Sequence, residues 1–175
     1  MKQLTRDQRC AIVRCLVDGV SIRATTRITG FAKGTIQKLT RDLGEAVLDF
    51  QDKAMRGIKS SRVQCDEVWC FCYCKEKNLP DSMKDRDDVG SMWTWTAMDA
   101  DTKLVFSWRI GTRDATTGHE FMQDVESRLA NRVQLTADGH SVYLTAVEKA
   151  FGEAIDFAQL VKLYGAEKEA ATRYS

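Results

Sequence analysis

Apolar positions near the start of the chain recur with the spacing of an α-helix. Thr5 and Gln8 have the spacing of a capping box, which marks a helix start. The apolar residues that follow it share one face of that helix, at positions 12, 13, 16 and 17. Ser21 is a candidate N-cap for a second, short helix that ends at Thr29-Gly30.

A third helix is predicted over residues 32–43. Ile36, Leu39 and Leu43 form its apolar stripe, and Gly44 is expected to end it. Three short helices, with a tight glycine-containing turn between the second and the third, are typical of a helix-turn-helix. The pattern therefore predicts a helix-turn-helix domain over residues 1–44.

Residues 45–62 begin with a helical pattern and then lose their apolar content. We interpret them as a linker helix, with a domain break near residue 60. Residues 63–175 then form the second predicted domain.

Residues 63–73 alternate in the manner of a strand, and both faces of that strand are largely apolar. A strand covered on both sides is central in its sheet, and an unpaired carboxylate there is costly. Asp66 is therefore the first candidate for a functional residue. Glu67 points to the opposite face, and we expect it to pack against a helix or to pair with a basic residue.

The rest of the chain alternates between strand and helix patterns. Strands are predicted over 92–99 and 103–110, followed by a helix from Thr116. A strand over 133–137, a helix over 142–151 and a strand over 155–161 complete the order β-β-β-α-β-α-β. This order predicts an α/β fold of the ribonuclease-H-like kind, with parallel pairing between the later strands and the first.

In such a sheet Asp66, on the first strand, and Asp138, at the tip of the fourth, converge. Neighbouring carboxylates repel each other unless one is protonated or a cation lies between them. Oxygen ligands alone favour Mg²⁺ or Mn²⁺, and two such ions assist displacement at phosphate. The alternative for Asp138-Gly139 is an ordinary turn at the end of a strand.

Charge is segregated along the chain. Residues 1–62 hold 13 Lys and Arg against 6 Asp and Glu, and residues 63–175 hold 13 against 19. A basic first part predicts a polyanionic partner. The polar face of the third helix supplies side chains suited to phosphates and purine edges, namely Lys33, Thr35, Gln37, Lys38 and Arg41. The alternative is a three-helix bundle whose basic face is only solvated.

The sequence has no apolar run of about 18 residues and no secretory leader, so we expect a cytoplasmic protein near the nucleoid. The 6 cysteines are expected to be free thiols. Cys70, Cys72 and Cys74 alternate along one strand face, which is too straight for a tetrahedral zinc site. We expect them to be small buried hydrophobic residues.

Three short motifs resemble the transposases of the IS1 family of bacterial insertion sequences. They are Cys65-Asp66-Glu67-Val68-Trp69, then the stretch from Trp93 to Asp99, then Asp138-Gly139 followed by Tyr143. The resemblance covers nearly the whole chain. It implies a helix-turn-helix ahead of a ribonuclease-H-like domain with an acidic Asp, Asp, Glu triad, in which Asp66 and Asp138 are the first two members.

The resemblance also implies a mechanism and partners. The mechanism is DNA cleavage and strand transfer that depends on Mg²⁺ or Mn²⁺. The partner is double-stranded DNA, as terminal repeats and target sites, and the protein is expected to form a homo-oligomer on that DNA. The third member of the triad is a Glu on a later helix, usually followed by Arg, but no Glu-Arg pair occurs in this sequence. Glu167 and Glu169 lie at the end of the chain. We therefore expect the catalytic domain to be C-terminally incomplete and its activity impaired.

Two other functions compete with this one. A non-catalytic DNA-binding protein would keep the helix-turn-helix and compete with a transposase for the same DNA ends. A helix-turn-helix fused to a small-molecule sensor domain leaves Asp66 and Asp138 without a role.

Overall fold

The computed structural model describes residues 3–86 and 88–161. The chain divides into two compact units, Met1–Ala54 and Met55–Ser175. The division lies at residues 54 and 55, whereas the sequence predicted a break near residue 60. Both units follow from the local patterns of the sequence, and each has its own core.

The first unit contains three helices, α1 (Arg6–Val17), α2 (Ile22–Thr29) and α3 (Lys33–Ala54). The predicted capping box is present at the start of α1, and Ser21 caps α2. Gly30 ends α2 with a φ of 73°, in the left-handed region that glycine tolerates best. Ile12, Thr25 and Ile36 are fully buried and bring the three helices together.

The prediction that Gly44 ends the third helix is wrong, because α3 continues through it to Ala54. A glycine in a helix interior costs only about 1 kcal/mol relative to alanine, and favourable neighbours offset that cost. The predicted burial of Leu43 is also wrong. Leu43 is 37% exposed, and Phe50, two helical turns further on, is 66% exposed.

The second unit is an α/β structure in which seven elements follow the predicted order. They are β1 (Arg62–Cys72), β2 (Gly90–Asp99), β3 (Val105–Gly111), α4 (Ala115–Arg128), β4 (Gln134–Asp138), α5 (Val142–Phe151) and β5 (Asp156–Leu160). The charged loop between β1 and β2 contains two short 3-10 turns, Glu76–Asn78 and Asp81–Met83.

The strands form one mixed sheet in the order β3-β2-β1-β4-β5. The pairs β1/β2 and β2/β3 are antiparallel, whereas β1/β4 and β4/β5 are parallel. The prediction of a central first strand is confirmed. The helix crossovers before β4 and β5 make the parallel pairs possible, because a crossover helix returns the chain to the end of the sheet at which the previous strand began.

The core lies between one face of the sheet and the helices α4 and α5. Its largest fully buried side chains are Trp95, Tyr143, Phe106 and Phe121. Along β1, Val63, Cys65 and Glu67 are buried, and all the remaining residues of the strand are exposed. The expectation that β1 is covered on both sides is therefore wrong, because α4 and α5 both pack on the face that carries Val63 and Cys65.

The expected burial of the cysteines after Cys65 is wrong for two of them. Cys70 and Cys72 are exposed, as are all the residues of β1 after Glu67. All 6 cysteines are free thiols. Within the described part of the chain, none of them belongs to a group of potential metal ligands. No helix in that part is long and apolar enough to cross a membrane.

Candidate metal centre

A cleft of about 800 Å³ opens in the second unit where β4 ends. Its lining includes Asp66 from β1, Asp138 and Thr136 from β4, and two loop residues, Arg113 and His140. The cleft therefore contains both carboxylates that the sequence singled out. It also contains a cation, Arg113, that the sequence analysis did not single out.

The parallel pairing of β1 and β4 explains why the two aspartates meet. Arg62, Val63 and Gln64 of β1 pair with Gln134, Leu135 and Thr136 of β4. Two residues further in the same register, Asp66 lies opposite Asp138. The hydrogen-bonded pairing of the two strands ends at Gln64 and Thr136, before that point.

The Asp66 side chain lies along its own strand. Its Oδ1 accepts a hydrogen bond of 2.8 Å from the backbone N–H of Glu67. Its backbone carbonyl accepts one from the hydroxyl of Thr96 on β2, at 3.2 Å. Asp66 itself is exposed, so the expectation that it is the buried carboxylate of the strand is wrong.

The buried carboxylate is Glu67. Its side chain has 0% exposure, and its Oε2 accepts a hydrogen bond of 3.2 Å from Arg113 Nη2. The prediction that Glu67 pairs with a basic residue is confirmed. Its other oxygen, Oε1, and the Tyr143 hydroxyl are both buried without a hydrogen bond of standard geometry among the described residues. The Tyr143 hydroxyl nevertheless lies close enough to the Glu67 carboxylate to share a hydrogen bond with it, so each group accounts for the other.

Asp138 is held from both sides. Its Oδ2 accepts from Arg113 Nη2 at 3.3 Å, and its Oδ1 accepts from the backbone N–H of His140 at 3.0 Å. Gln159 on β5 donates to the backbone carbonyls of Asp138 and His140, at 3.1 and 2.9 Å. The Asp138-Gly139 turn is thus tied to the sheet, which fixes the carboxylate at the tip of β4.

The three carboxylates form one cluster. Asp66, Glu67 and Asp138 each offer an oxygen, and these oxygens lie within 4.8 Å of one another. Arg113 bridges two of them and stacks on Trp93, with its guanidinium carbon 4.8 Å from the ring centroid. Three formal negative charges therefore face one positive charge, and a divalent cation would balance the remainder.

The wall beside Glu67 is apolar and contains two groups that stay neutral. Burial raises the pKa of the Tyr143 phenol well above its usual value, and the nearby Cys65 and Glu67 raise it further. Burial also raises the pKa of the Cys65 thiol, with Glu67 and Asp66 adding to the effect. Among the described residues of this region, the formal charges are therefore carried by the carboxylates and Arg113.

The candidate DNA-binding residues lie on the first half of α3 in the first unit. Lys33, Gln37 and Arg41 recur every four residues and are exposed, so they share one side of the helix. Lys38 is exposed too, but its Nζ forms an ion pair of 2.5 Å with Asp42. Thr35 is half-buried and lies on the side of the helix away from Lys33, three residues before Lys38.

Sequence reasoning missed that Glu67 lies close to Asp66 and Asp138 and that Arg113 lines the cleft. Strict alternation placed Glu67 on the face opposite Asp66, which its burial agrees with, yet an oxygen of each lies within 4.8 Å of the other. Arg113 lies in the loop between β3 and α4, where one basic residue carries no local signal. The candidate third acids Glu167 and Glu169 lie outside the described residues.

No protein-family model and no curated protein matches this chain. Its function must therefore be inferred from the geometry of the cleft and from the charge of the first unit.

Proposed function

We propose that this protein is a transposase of the DDE type, which binds the ends of an insertion sequence and catalyses metal-dependent DNA cleavage and strand transfer. The observation that carries the proposal is the meeting of Asp66 and Asp138 in one cleft, at matching positions of two parallel strands. The resemblance of three short motifs to IS1-family transposases supports it.

The sheet order supports a ribonuclease-H-like domain. The strands β3, β2 and β1 pair antiparallel, and β4 and β5 continue the sheet on the other side of β1 with parallel pairing. This arrangement, with β1 in the centre of the sheet, is the one expected of that fold. Strand position then decides which side chains meet. An aspartate in the middle of β1 and one at the end of β4 are brought together by backbone pairing, so neither depends on a flexible loop.

The donor set fits Mg²⁺ or Mn²⁺. Asp66 and Asp138 offer oxygen alone, as hard divalent cations prefer, and one oxygen of each lies within 4.8 Å of the other. When bound, such ions stabilise charge on the phosphate oxygens and lower the pKa of an attacking water. The protein's part is to fix the carboxylates and to position the phosphodiester.

Local contacts suit Asp66 and Asp138 to that task. Each aspartate uses one oxygen to accept a backbone N–H, which orients the other oxygen towards the cleft. Arg113 and His140 line the same cleft and are placed to contact a phosphate. Arg113 is anchored by Trp93, which limits the directions in which its guanidinium points.

The first unit suits the binding of DNA ends. We interpret α2 and α3, joined by Gly30-Phe31-Ala32, as a helix-turn-helix whose second helix reads the major groove. Lys33, Gln37 and Arg41 provide a row of two cations and one amide on that helix. Lys38 contributes once its ion pair with Asp42 is exchanged for a phosphate.

The test of cleavage uses the full chain and a plasmid that carries the DNA flanking both ends of the gene. With Mn²⁺ we expect slow nicking at the element ends by the wild type and none by Asp66→Asn or Asp138→Asn, while all three bind the DNA equally. Nicking that survives both substitutions would refute the proposal. End-specific binding without any nicking would favour the non-catalytic DNA-binding protein.

The test of end binding is the salt dependence of affinity, measured by fluorescence anisotropy. Removing one phosphate contact lowers the slope of log affinity against log salt by about one. We expect that fall for Lys33→Ala, at the start of α3. The matched control is Lys53→Ala in the last turn of the same helix. Equal slopes for the two variants would contradict the assignment of the binding face.

A further inference from the structure

The last part of β1, together with the start of β2, carries aromatic side chains that remain open to solvent. Trp69 and Phe71 of β1 are 41% and 46% exposed. Trp69 pairs directly with the half-buried Trp93 of β2, so the two side chains share one face of the sheet, and Phe71 follows on the same face. We call Trp69, Phe71 and Trp93 the aromatic platform. An exposed apolar cluster of this kind marks an interaction surface.

The rings of the platform are held by their neighbours. The indole N–H of Trp69 donates to the hydroxyl of Ser91 at 3.3 Å. The Trp69 ring centroid lies 5.8 Å from that of Phe71, with the ring planes tilted by 42°. Rings that are already oriented lose little conformational freedom when another flat group packs on them. The platform is therefore suited to a partner that offers flat rings of its own.

Two cations lie over the tryptophans of the platform. Lys75 Nζ is 5.6 Å from the ring centroid of Trp69, and the guanidinium carbon of Arg113 is 4.8 Å from that of Trp93. Aromatic rings next to Lys and Arg are the combination that binds single-stranded nucleic acids, in which bases stack on the rings and phosphates meet the cations. An apolar protein surface would gain nothing from these two charges.

The loop after the platform is close to neutral. Residues 75–90 hold 4 Lys and Arg against 5 Asp and Glu. Glu76 accepts the backbone N–H of Ser91 at 2.9 Å, and two further acids, Asp81 and Asp88, form ion pairs with basic residues of the same loop. The loop therefore offers little net charge that would repel a strand on the platform.

We propose that the aromatic platform binds unpaired DNA bases. Arg113 links this surface to the cleft, since it lies over Trp93 and also lines the cleft beside Asp66 and Asp138. A strand that stacks on Trp69 and Trp93 therefore reaches the cleft at Arg113. The inference goes beyond the proposed function, because stacking needs neither a metal ion nor cleavage. The competing explanation is a docking surface for protein, such as a second copy of this chain.

The test measures the affinity of the full chain for a fluorescent oligothymidine of about 12 nucleotides, by anisotropy in the presence of EDTA. We expect Trp69→Ala to weaken binding at least about fivefold, because it removes a stacking ring. Trp69→Phe keeps a ring and should retain most of the affinity. The matched control is Trp108→Ala, which removes a tryptophan of 38% exposure. Trp108 pairs with Thr96 and lies on the other face of the sheet, so its loss should leave the affinity unchanged.

A duplex of the same length provides the second probe. Its bases are stacked on one another and cannot reach the platform, so Trp69→Ala should bind it as the wild type does. Equal losses for the single strand and the duplex would overturn the inference, as would an oligothymidine affinity that Trp69→Ala leaves unchanged. In either case nicking that depends on Asp66 and Asp138 would still support the proposed function. Normal stacking without nicking would refute that function and leave this inference intact.

A second variant keeps the test decisive if Trp69→Ala does not fold, which circular dichroism establishes. Phe71→Ala removes the more exposed ring and should also weaken oligothymidine binding at least about fivefold. Sedimentation of the same variants addresses the competing explanation. A changed oligomeric state together with an unchanged oligothymidine affinity would assign the platform to a second copy of the chain and overturn the inference.

Discussion

In the second unit, one carboxylate and a cluster of three carboxylates are held in opposite ways. Asp99, at the end of β2, is buried, and both of its oxygens accept hydrogen bonds. Asp66, Glu67 and Asp138 lie together in one cluster, in which Arg113 pairs with Glu67 and Asp138. The first arrangement satisfies a single charge with neutral donors, whereas the second concentrates charge that the protein alone does not balance.

The donors to Asp99 show how complete the first arrangement is. Its Oδ2 accepts from the Ser60 hydroxyl, and its Oδ1 accepts from the Thr102 N–H and hydroxyl, at 2.6 and 2.7 Å. These bonds lower the pKa of Asp99 to about 2, with the Ser60 hydroxyl as the largest cause. Asp99 therefore ties the segment before β1 to the turn after β2. It needs no ligand to explain it.

The contrast teaches that burial alone does not distinguish a functional carboxylate from a structural one. Both Asp99 and Glu67 are buried acids on neighbouring strands. The difference lies in the company of each carboxylate: neutral donors surround Asp99, whereas Glu67 shares one cation with a second carboxylate and lies beside a third. This criterion is testable, because the two sets should respond differently to substitution, to cations and to pH.

The largest expected difference is in cation binding. Asp138→Asn should weaken Mn²⁺ binding at least about tenfold, because it removes a charged ligand. Asp99→Asn makes the same chemical change in the fully bonded set and should leave the affinity unchanged. Isothermal titration calorimetry on the two variants measures both. Equal losses would show that carboxylates in this unit act on cations only through its general charge.

The next effect is on stability without divalent cations. Arg113→Gln removes the cation paired with the buried Glu67, and we expect the free energy of unfolding to fall by about 2 kcal/mol. Added Mg²⁺ should restore part of that loss. The control is Arg109→Gln, which breaks the exposed pair with Glu120 and should cost at most about 1 kcal/mol. Urea unfolding with and without Mg²⁺ gives both values. A loss of stability in Arg113→Gln that Mg²⁺ leaves unchanged would argue against a cation site beside Glu67.

Local patterns predicted most of the fold, because strand alternation and helical spacing are written in neighbouring residues. The bounds predicted for α5, 142–151, agree with the structure. Gly44 shows the limit of such reasoning, since the helix continues wherever its neighbours offset the cost of one glycine. The surroundings of Glu67 and Arg113 depend on the approach of Asp138 from another strand and on a contact across 46 residues of sequence. Neither leaves a local signal.

The third effect is a dependence of stability on pH. The folded-state pKa of Asp99, about 2, lies below the ordinary value of 3.8. Its stabilising contribution is therefore complete above about pH 4 and is lost as the pH falls towards 2. Asp99→Asn should lower the melting temperature at pH 7 and flatten its dependence on pH between 4 and 2. A variant whose melting curve keeps the wild-type pH dependence would show that other acids dominate this range.

The smallest effect concerns one donor of the fully bonded set. Ser60→Ala removes the hydroxyl bond to Asp99 Oδ2, and we expect it to cost about 1 kcal/mol in the free energy of unfolding. The pKa of Asp99 should rise towards its ordinary value, because this bond is the largest cause of its lowering. Mn²⁺ affinity should not change, since Ser60 lies outside the cleft lining. Carboxyl chemical shifts followed over a pH titration report the pKa, and a shift in Mn²⁺ affinity instead would mean that the two sets of carboxylates are coupled through β1.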